Sequence, residues 1–477
     1  MENDPPFVKA IRKHLGRVPT SGQERAMEAV HRLLATDRAQ GTLVLRGYAG
    51  TGKTTLLGAL VRTLADQGRR PVLLAPTGRA AKVLAGHAGM AASTIHRRIY
   101  KLSGEVAAPG LSLVPHQDAN TLFIVDEASM IGTGGGDGPF GGRDLLSDLF
   151  EHVFSADGTK LLIVGDPAQL PPVGEERSPA LDHKHLRAHY GLLAGMVELK
   201  EVVRQEAHSG ILSNATSLRS ELDREVPTIR FDTSSDDVVR LDGYDLQDAL
   251  EEAYGRHGQD QVCIICRSNK RAYGFNQQVR TRILGMEEEV NGGDRLMVVR
   301  NNYLWASAPG RPELIANGET VEVKRVRGEE ERYGMRFMDL TVLLPEGEGR
   351  SRPDRELDVK VMLDVLASEG SALSAPRSQA LQRAVMEEMT ATTKRERSAL
   401  LRTDPYANAL QVKYAYAVTC HKAQGGQWAS VFVDQGYLTE EMVDREYVRW
   451  LYTALTRAVE KVHLVNFHPR FHGDEEA

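Results

Sequence analysis

The sequence predicts an α/β protein built on two separate, mostly parallel sheets, and three observations predict it. Apolar strand-like runs alternate with helical stretches over the first two hundred residues: TLVLR, PVLLAP, TLFIVDE, KLLIVGD and MVELK. Unbroken Val, Ile and Leu runs are buried on both faces, as strands of a helix-covered parallel sheet are. A later set, QVCIICRS, VKYAYAVTC, SVFVDQG and KVHLVNF, repeats that texture. Between the first strand and its helix stands GYAGTGKTT, Gly47 to Thr55, at the carboxyl end of a strand, where such sheets bind ligands.

At 477 residues the chain exceeds one hydrophobic core and implies about two to four domains. Hydrophobic residues at 41% and charged residues at 26% exclude a disordered or fibrous chain. No run of about 18 apolar residues exists, and MENDPPFVKAIRKH lacks the apolar core of a secretory signal. The expected location is the cytoplasm, with no membrane partner. Three cysteines, Cys263, Cys266 and Cys420, are too few for a disulfide framework and suit a reducing compartment. Cys263 and Cys266 form a CxxC inside an apolar run, without a second pair, so buried strand thiols are expected rather than a zinc site. The formal charge of −6 gives no global sign of nucleic-acid binding. Local clusters, Arg79 with Lys82 and Arg97 with Arg98 and Lys101, can still grip phosphates, because more distant acids are screened beyond about 10 Å. Taken alone, each also reads as a solvated face.

Along the chain, residues 1–205 form the first α/β unit, and residues 206–294 with 408–477 form the second. Residues 295–407 differ in texture. LMVVRNNYLWASAPGRPELIANGETVEVKRV alternates apolar and polar residues around Gly and Asn turns, as a small β barrel does. SQALQRAVMEEMTATTKRERSALLR reads as one long amphipathic helix, so the region is expected to be an inserted subdomain. Residues 102–119 suit a hairpin whose strands Pro109 and Pro115 keep short. GTGGGDGPFGG, residues 132–142, is too rich in Gly for regular structure and is expected to be a mobile loop. No internal repeat is visible.

Gly47-x-x-x-x-Gly52-Lys53-Thr54 is a Walker A pattern: backbone N–H groups wrap phosphates while the following helix adds its positive end. Gly47, Gly50, Thr51, Gly52, Lys53, Thr54 and Thr55 are the expected nucleotide-binding residues, with Lys53 bridging the β- and γ-phosphates. Thr54 and Asp126 are the expected ligands of Mg²⁺, which prefers one or two carboxylates alongside phosphate oxygens. Glu127, at the same strand end, is then left to polarise an attacking water. NTP hydrolysis by positioning and charge neutralisation is the expected reaction, with ATP and Mg²⁺ as cofactors.

After the Walker A loop come APTGRAAKVL, STIHRRI, IVDEASM, GDPAQLPPV, LKEVVRQ, VTCHKAQGGQW and LYTALTRA. This ordered set resembles motifs Ia to VI of superfamily 1B DNA helicases of the RecD and Dda type, over nearly the whole chain. The resemblance implies two RecA-like P-loop NTPase domains in tandem, a β-hairpin pin (1B) near 100–120 and an SH3-like insertion (2B). It also implies that Gln23 reads adenine, that Gln169 senses the γ-phosphate, and that Arg204 and Arg457 are arginine fingers. Gly425 joins the implied nucleotide-binding set. Gln23 also lies beside Ser21-x-x-Glu24, which reads as a capping box for its helix. DNA contacts are implied at Thr77, Lys82, Thr94, His96, Thr419, His421 and Lys422, through groups that bind phosphates whatever the base. His96 and His421 equally suit structural roles.

Two features depart from the family pattern. The hairpin carries no aromatic, leaving an aliphatic or Pro wedge, and Val203 stands where many relatives stack a Tyr on adenine. Asp182 with Glu198-x-Lys200 is loosely nuclease-like but overlaps the approach to motif IV. The expected function is an ATP-dependent helicase or translocase on single-stranded DNA and single/double-strand junctions, moving 5′ to 3′ by resemblance. The chain is expected to act as a monomer, with a single-stranded DNA-binding protein or a replication or repair protein as possible partner. The alternative is a DNA-dependent ATPase switch, or a subunit of a repair nuclease complex, that does not itself unwind.

Overall fold

The computed structural model describes residues 4–102, 111–134, 144–203, 209–307, 314–345, 354–390 and 393–472. In chain order the first lobe carries strands β1 (Gly41–Gly47), β2 (Val72–Ala75), β3 (Ala92–Thr94), β4 (Tyr100–Leu102), β5 (Leu111–Leu113), β6 (Leu122–Val125), β7 (Lys160–Gly165) and β8 (Leu193–Leu199). Six of them form a parallel sheet in the order β3-β2-β6-β7-β1-β8. Helices cover both faces: Leu43, Leu45, Ile124 and Leu162 point into one apolar cluster, Val44, Phe123, Leu161 and Ile163 into the other. Each such side chain contributes about 1.5–3 kcal/mol by leaving water. β4 and β5 pair as a separate antiparallel hairpin with Tyr100 opposite Leu113. Its base therefore begins two residues before the expected span, and its turn, 103–110, lies outside the described residues. Most of the Gly-rich loop, 135–142, lies outside them too.

The rest of the chain adds β9 (Val238–Leu241), β10 (Val262–Cys266), β11 (Arg295–Val298), β12 (Thr320–Arg332), β13 (Met335–Leu344), β14 (Arg355–Met362), β15 (Val412–Tyr414), β16 (Ala417–Thr419), β17 (Trp428–Asp434) and β18 (Ala458–Val465). A second parallel sheet runs β16-β10-β17-β18-β9, and an antiparallel one runs β14-β13-β12-β11-β15. These two share one apolar cluster, in which Ile264, Phe432, Val342 and Val361 meet. All three cysteines are buried, and burial pushes the thiols up in pKa, as inert core residues behave.

Two expected elements divide. VKYAYAVTC is two strands in different sheets, β15 and β16, because Asn276 Oδ1 accepts both the Tyr416 N–H (3.1 Å) and the Ala417 N–H (2.9 Å) where the chain crosses over. The expected long helix is two, Ala375–Glu388 and Lys394–Thr403. A start signal explains the break: Thr393 and Glu396 form a capping box, which fixes a new N-terminus inside the amphipathic pattern.

The first and second lobes meet along a packed seam. Ala168 and Leu170, from the segment after β7, lie in the same cluster as Val448, Leu451 and Tyr452 of the helix Arg445–Leu455.

Candidate nucleotide site at the seam between the lobes

The Walker A loop leaves β1 at Gly47 and passes through left-handed backbone at Gly50 (φ 70°) and Gly52 (φ 73°) before the helix Lys53–Asp66 begins. A Cβ at Gly47 would stand 2.8 Å from Lys53 Cγ, and one at Gly52 would stand 2.6 Å from Gln23 Nε2. Only glycine lets the loop close this tightly. Lys53 Nζ donates to the carbonyls of Gly47 (2.6 Å) and Tyr48 (2.9 Å) and lies 3.8 Å from Asp166 Oδ2. Thr51, buried, donates its hydroxyl to the Tyr48 carbonyl (2.7 Å). Thr54 and Thr55 follow in a first helical turn that contains no acidic side chain, which leaves its positive end to an anion.

Gln23 touches this loop: its Nε2 donates to the Thr51 carbonyl (3.1 Å). The capping box is displaced by one residue from the expected pair. Thr20 rather than Ser21 is the N-cap, and Gln23 rather than Glu24 completes the box, through Thr20 N to Gln23 Oε1 (3.1 Å) and Gln23 N to Thr20 Oγ1 (3.2 Å). Ser21 is drawn instead to the Glu201 carboxylate, which accepts from both its N–H and its hydroxyl. Val203 N donates to the Gly50 carbonyl (2.9 Å) and so borders the same loop. Arg204 lies outside the described residues.

Asp126 and Glu127 follow β6. Asp126 Oδ1 accepts the Glu127 N–H (2.9 Å). Burial and the neighbouring Glu127 carboxylate push the Asp126 acid up to about 7, the signature of a carboxylate that needs a cation. The chemistry of this donor set fits Mg²⁺: one carboxylate at Asp126 and one hydroxyl at Thr54, both oxygen donors. Among the described residues no group of three or more His, Cys, Asp or Glu side chains makes a metal cage. Glu127, at φ 52°, turns its Oε1 to 3.7 Å from Arg457 Nη1 of the second lobe. Arg457 is buried and held by Thr453 O (3.1 Å), Gly426 O (3.3 Å) and Thr456 Oγ1 (3.3 Å). Gln169 is buried as well, and its Oε1 has no hydrogen-bond donor.

Two residues at the centre of this seam escaped the sequence reading although both lie inside quoted motifs. Asp166, in GDPAQL, is buried beside Lys53, and burial raises its pKa against the pull of Lys53. Tyr452, in LYTALTRA, donates its hydroxyl to Asp166 Oδ2 (2.7 Å) and accepts the Ala49 N–H (2.7 Å). Sequence spacing carries no sign of that contact, because the two residues are 286 positions apart.

The candidate DNA residues are distributed differently. Thr77 and Thr94 are helix N-caps whose hydroxyls accept Ala80 N–H and Arg97 N–H, each at 3.2 Å, and Thr94 is buried. Lys82 lies on the helix that Thr77 caps, and His96 packs against Tyr100 with ring centroids 5.6 Å apart. Thr419 caps the short helix carrying His421 and Lys422, both lowered in pKa by burial. The turn after Lys422 approaches the helix that Thr77 caps: a Cβ at Gly425 would come within 2.5 Å of Ala80 Cβ and 3.5 Å of Thr77 Oγ1. Gly425 thus borders Thr77, while its neighbour Gly426 holds Arg457. Arg79 lies 4.4 Å over the Trp428 ring, tying the same two lobes. Asp182 caps the helix His183–Tyr190, Glu198 accepts from Tyr48 and Lys200 pairs with Glu198, so these three do not form a nuclease centre.

Residues 20–226 match the AAA domain family, and residues 414–465 match the UvrD-like helicase C-terminal domain. The chain is 33% identical over 176 residues to the ATP-dependent RecD2 DNA helicase of Deinococcus radiodurans, covering 37% of this chain and 21% of that protein. It is 26% identical over 353 residues to the ATP-dependent DNA helicase dda of Enterobacteria phage T4, covering 68% and 73%. The chain thus spans about a fifth of the first relative's length and about three quarters of the second's. A structure of Pif1 helicase from Bacteroides with ADP-AlF3 and single-stranded DNA aligns over 96% of this chain and 94% of that one, at 15% identity and a TM-score of 0.47. No helix among the described residues is long and apolar enough to cross a membrane. The AAA-domain match lies on the first lobe and the UvrD-like helicase C-terminal match on the second, in that order, and the chain is similar to DNA helicases of the RecD2 and dda type.

Proposed function

We propose that this chain is an ATP-dependent DNA helicase that walks along single-stranded DNA, 5′ to 3′, and separates duplex at single/double-strand junctions. One observation carries the reading: Arg457 of the second lobe stands 3.7 Å from Glu127 of the first, across the seam that also holds Lys53. A cation supplied from the opposite lobe lets nucleotide charge decide whether the lobes are drawn together. Lys53, Thr51 and the loop amides bind and orient the triphosphate. Gln23 and Val203 border the base. Glu127 orients the attacking water once the nucleotide draws Arg457 away from it. Thr54 and Asp126 would hold Mg²⁺, which when bound would supply charge neutralisation at the terminal phosphates. Arg204 acts as the second finger.

Residues 1–205 act as the first RecA-like motor domain, and residues 206–294 with 415–477 as the second; the expected boundary at 408 moves because β15 pairs with β11 in the antiparallel sheet. The β4–β5 hairpin serves as the strand-separating pin, and residues 295–414 as the SH3-like insertion. Thr77, Lys82, Thr94 and His96 form one DNA grip; Thr419, His421 and Lys422 form the other. Opening and closing of the seam alternates the grips, and both arginine fingers act within one chain, which supports a monomeric motor.

The test is strand release from a tailed duplex by the purified chain with ATP. The wild-type protein releases the strand when the tail is 5′ and does not when it is 3′, and Lys53→Ala releases none. Unwinding by Lys53→Ala would overturn the reading, and ATP turnover without strand release would favour a DNA-bound ATPase switch instead.

A further inference from the structure

We infer that Tyr452 is a positioning residue of the ATPase cycle: its hydroxyl pins the second lobe to the phosphate loop and sets where Arg457 stands. The inference rests on the nucleotide-site reading above. It starts from three consecutive facts about one helix. Tyr452 is buried, and its single hydroxyl is saturated, accepting Ala49 N–H from the phosphate loop and donating to Asp166 Oδ2, both at 2.7 Å. Thr453, the next residue, accepts Leu170 N–H on its Oγ1 at 2.9 Å. One turn later Arg457 donates from Nε back to the Thr453 carbonyl at 3.1 Å.

Two adjacent residues therefore grip the first lobe at both ends of the segment 166–170, and the guanidinium, which Gly426 O also holds, is tied to that grip through Thr453. Asp166 extends the chain of contacts to the reaction centre. Its Oδ1 accepts Ala168 N–H (2.9 Å), its Oδ2 accepts Tyr452, and Lys53 Nζ lies 3.8 Å away. A buried carboxylate that accepts a hydrogen bond at each oxygen is held to one orientation and fixes the charge that faces the ammonium beside it. Tyr452 touches neither of the residues expected to hold Mg²⁺. Its donor partner, the Ala49 N–H, is committed to the hydroxyl. Removing the hydroxyl consequently disturbs placement of Arg457 and Lys53 without removing a nucleotide contact, a loss expected in kcat rather than in KM.

The experiment uses the full chain with single-stranded DNA and ATP, comparing Tyr452→Phe, Asp166→Asn and their combination by steady-state turnover and thermal melting. Asn at 166 has one accepting oxygen instead of two and no charge, so it can keep only one of the bonds to Ala168 and Tyr452 as they stand and weakens the same link from the other end. Each single variant is expected to lose at least about tenfold in kcat while KM for ATP changes by less than about threefold, and the double is expected to be no slower than the slower single. Turnover within about twofold of wild type in Tyr452→Phe, additive losses in the double, or parallel falls in kcat, 1/KM and melting temperature would each overturn the inference. Should Tyr452→Phe not fold, the same kcat-against-KM split in Asp166→Asn decides it. Lys53→Ala run alongside separates the two levels: if it retains turnover, the nucleotide-site reading fails, and if it alone loses turnover, only the role of Tyr452 fails.

Discussion

Arg457 Nη1 lies 3.7 Å from Glu127 Oε1, so the expected transition-state cation of the second lobe rests on the expected water-orienting carboxylate of the first. Arg457 is buried and Glu127 half-buried, so the pair is screened less than one on the surface. Each is thereby kept occupied until a more strongly charged partner enters. Under the proposed function a γ-phosphate would be such a partner, and drawing Arg457 to it would free Glu127 in the same movement.

Arg457→Ala is accordingly expected to lower DNA-stimulated ATP turnover by about 10³-fold or more, the usual worth of an arginine finger. Glu127→Gln is expected to keep nucleotide binding and lose about 10²–10⁴ in turnover. Equilibrium binding of a fluorescent ATP analogue beside steady-state hydrolysis checks both. Retained turnover in either variant removes that residue from the chemistry.

The displaced capping box makes a prediction that the originally expected pair does not. Gln23→Ala removes a cap bond and the bond to Thr51 O, and is expected to cost about 1 kcal/mol of stability. Glu24→Ala removes only a half-exposed contact to Arg12 at 3.3 Å and is expected to change stability by less than about 0.5 kcal/mol. Urea titrations rank the two variants. The preference for ATP over GTP is expected to fall only in Gln23→Ala.

Between the second lobe and the antiparallel sheet, Arg280 and Asp294 form a bidentate pair, with 2% and 0% of their side chains exposed and both bonds at 2.8 Å. Asp294 also accepts Tyr416 O–H (3.1 Å) and Asn291 N–H (2.8 Å). Asp294→Ala strands a buried guanidinium and is expected to destabilise the chain by about 3–5 kcal/mol. A fall in the urea midpoint at unchanged slope would register it; a loss under about 1 kcal/mol would show that the pair is solvated in practice.

Acid should weaken the fold in a defined window. Burial pushes His152 and His463 down to about 4; His152 lies against Phe123 and His463 stacks on Phe432 at 4.1 Å. The unfolded chain takes up these protons near pH 6.5, and the folded chain resists them until about pH 4. The stability they contribute is thus fully present above about pH 6.5 and is lost as pH falls toward 4, on the order of 1–3 kcal/mol for each. Denaturation curves between pH 7 and 4.5 measure the slope, and His463→Phe should flatten it. An unchanged slope in that variant would exclude His463 from the effect.

How much of this could be read from the chain alone varies from place to place. Most strands of both parallel sheets were legible because they are unbroken apolar runs, whereas the edge strands β3 and β9, AST and VVRL, are too short to show one; the phosphate loop was legible because Gly47, Gly52 and Lys53 answer to a local requirement of backbone and charge. VKYAYAVTC misled, since both halves are apolar and only the Asn276 side chain, 140 residues upstream of Tyr416, decides where one sheet ends and the next begins. The single long helix misled for the opposite reason: its periodicity continues across a start signal that Thr393 and Glu396 had already written.

By itself the sequence determined most of the elements, the phosphate loop, the acidic pair after β6 and the order of the motifs, because each depends on residues within a turn or a strand of one another. Only the tertiary structure decided which of them meet. Tyr452 on Ala49 and Asp166, and Arg457 on Glu127, join residues more than 280 positions apart. Such contacts arise from how two independently folded sheets pack, and no local periodicity or spacing encodes that packing.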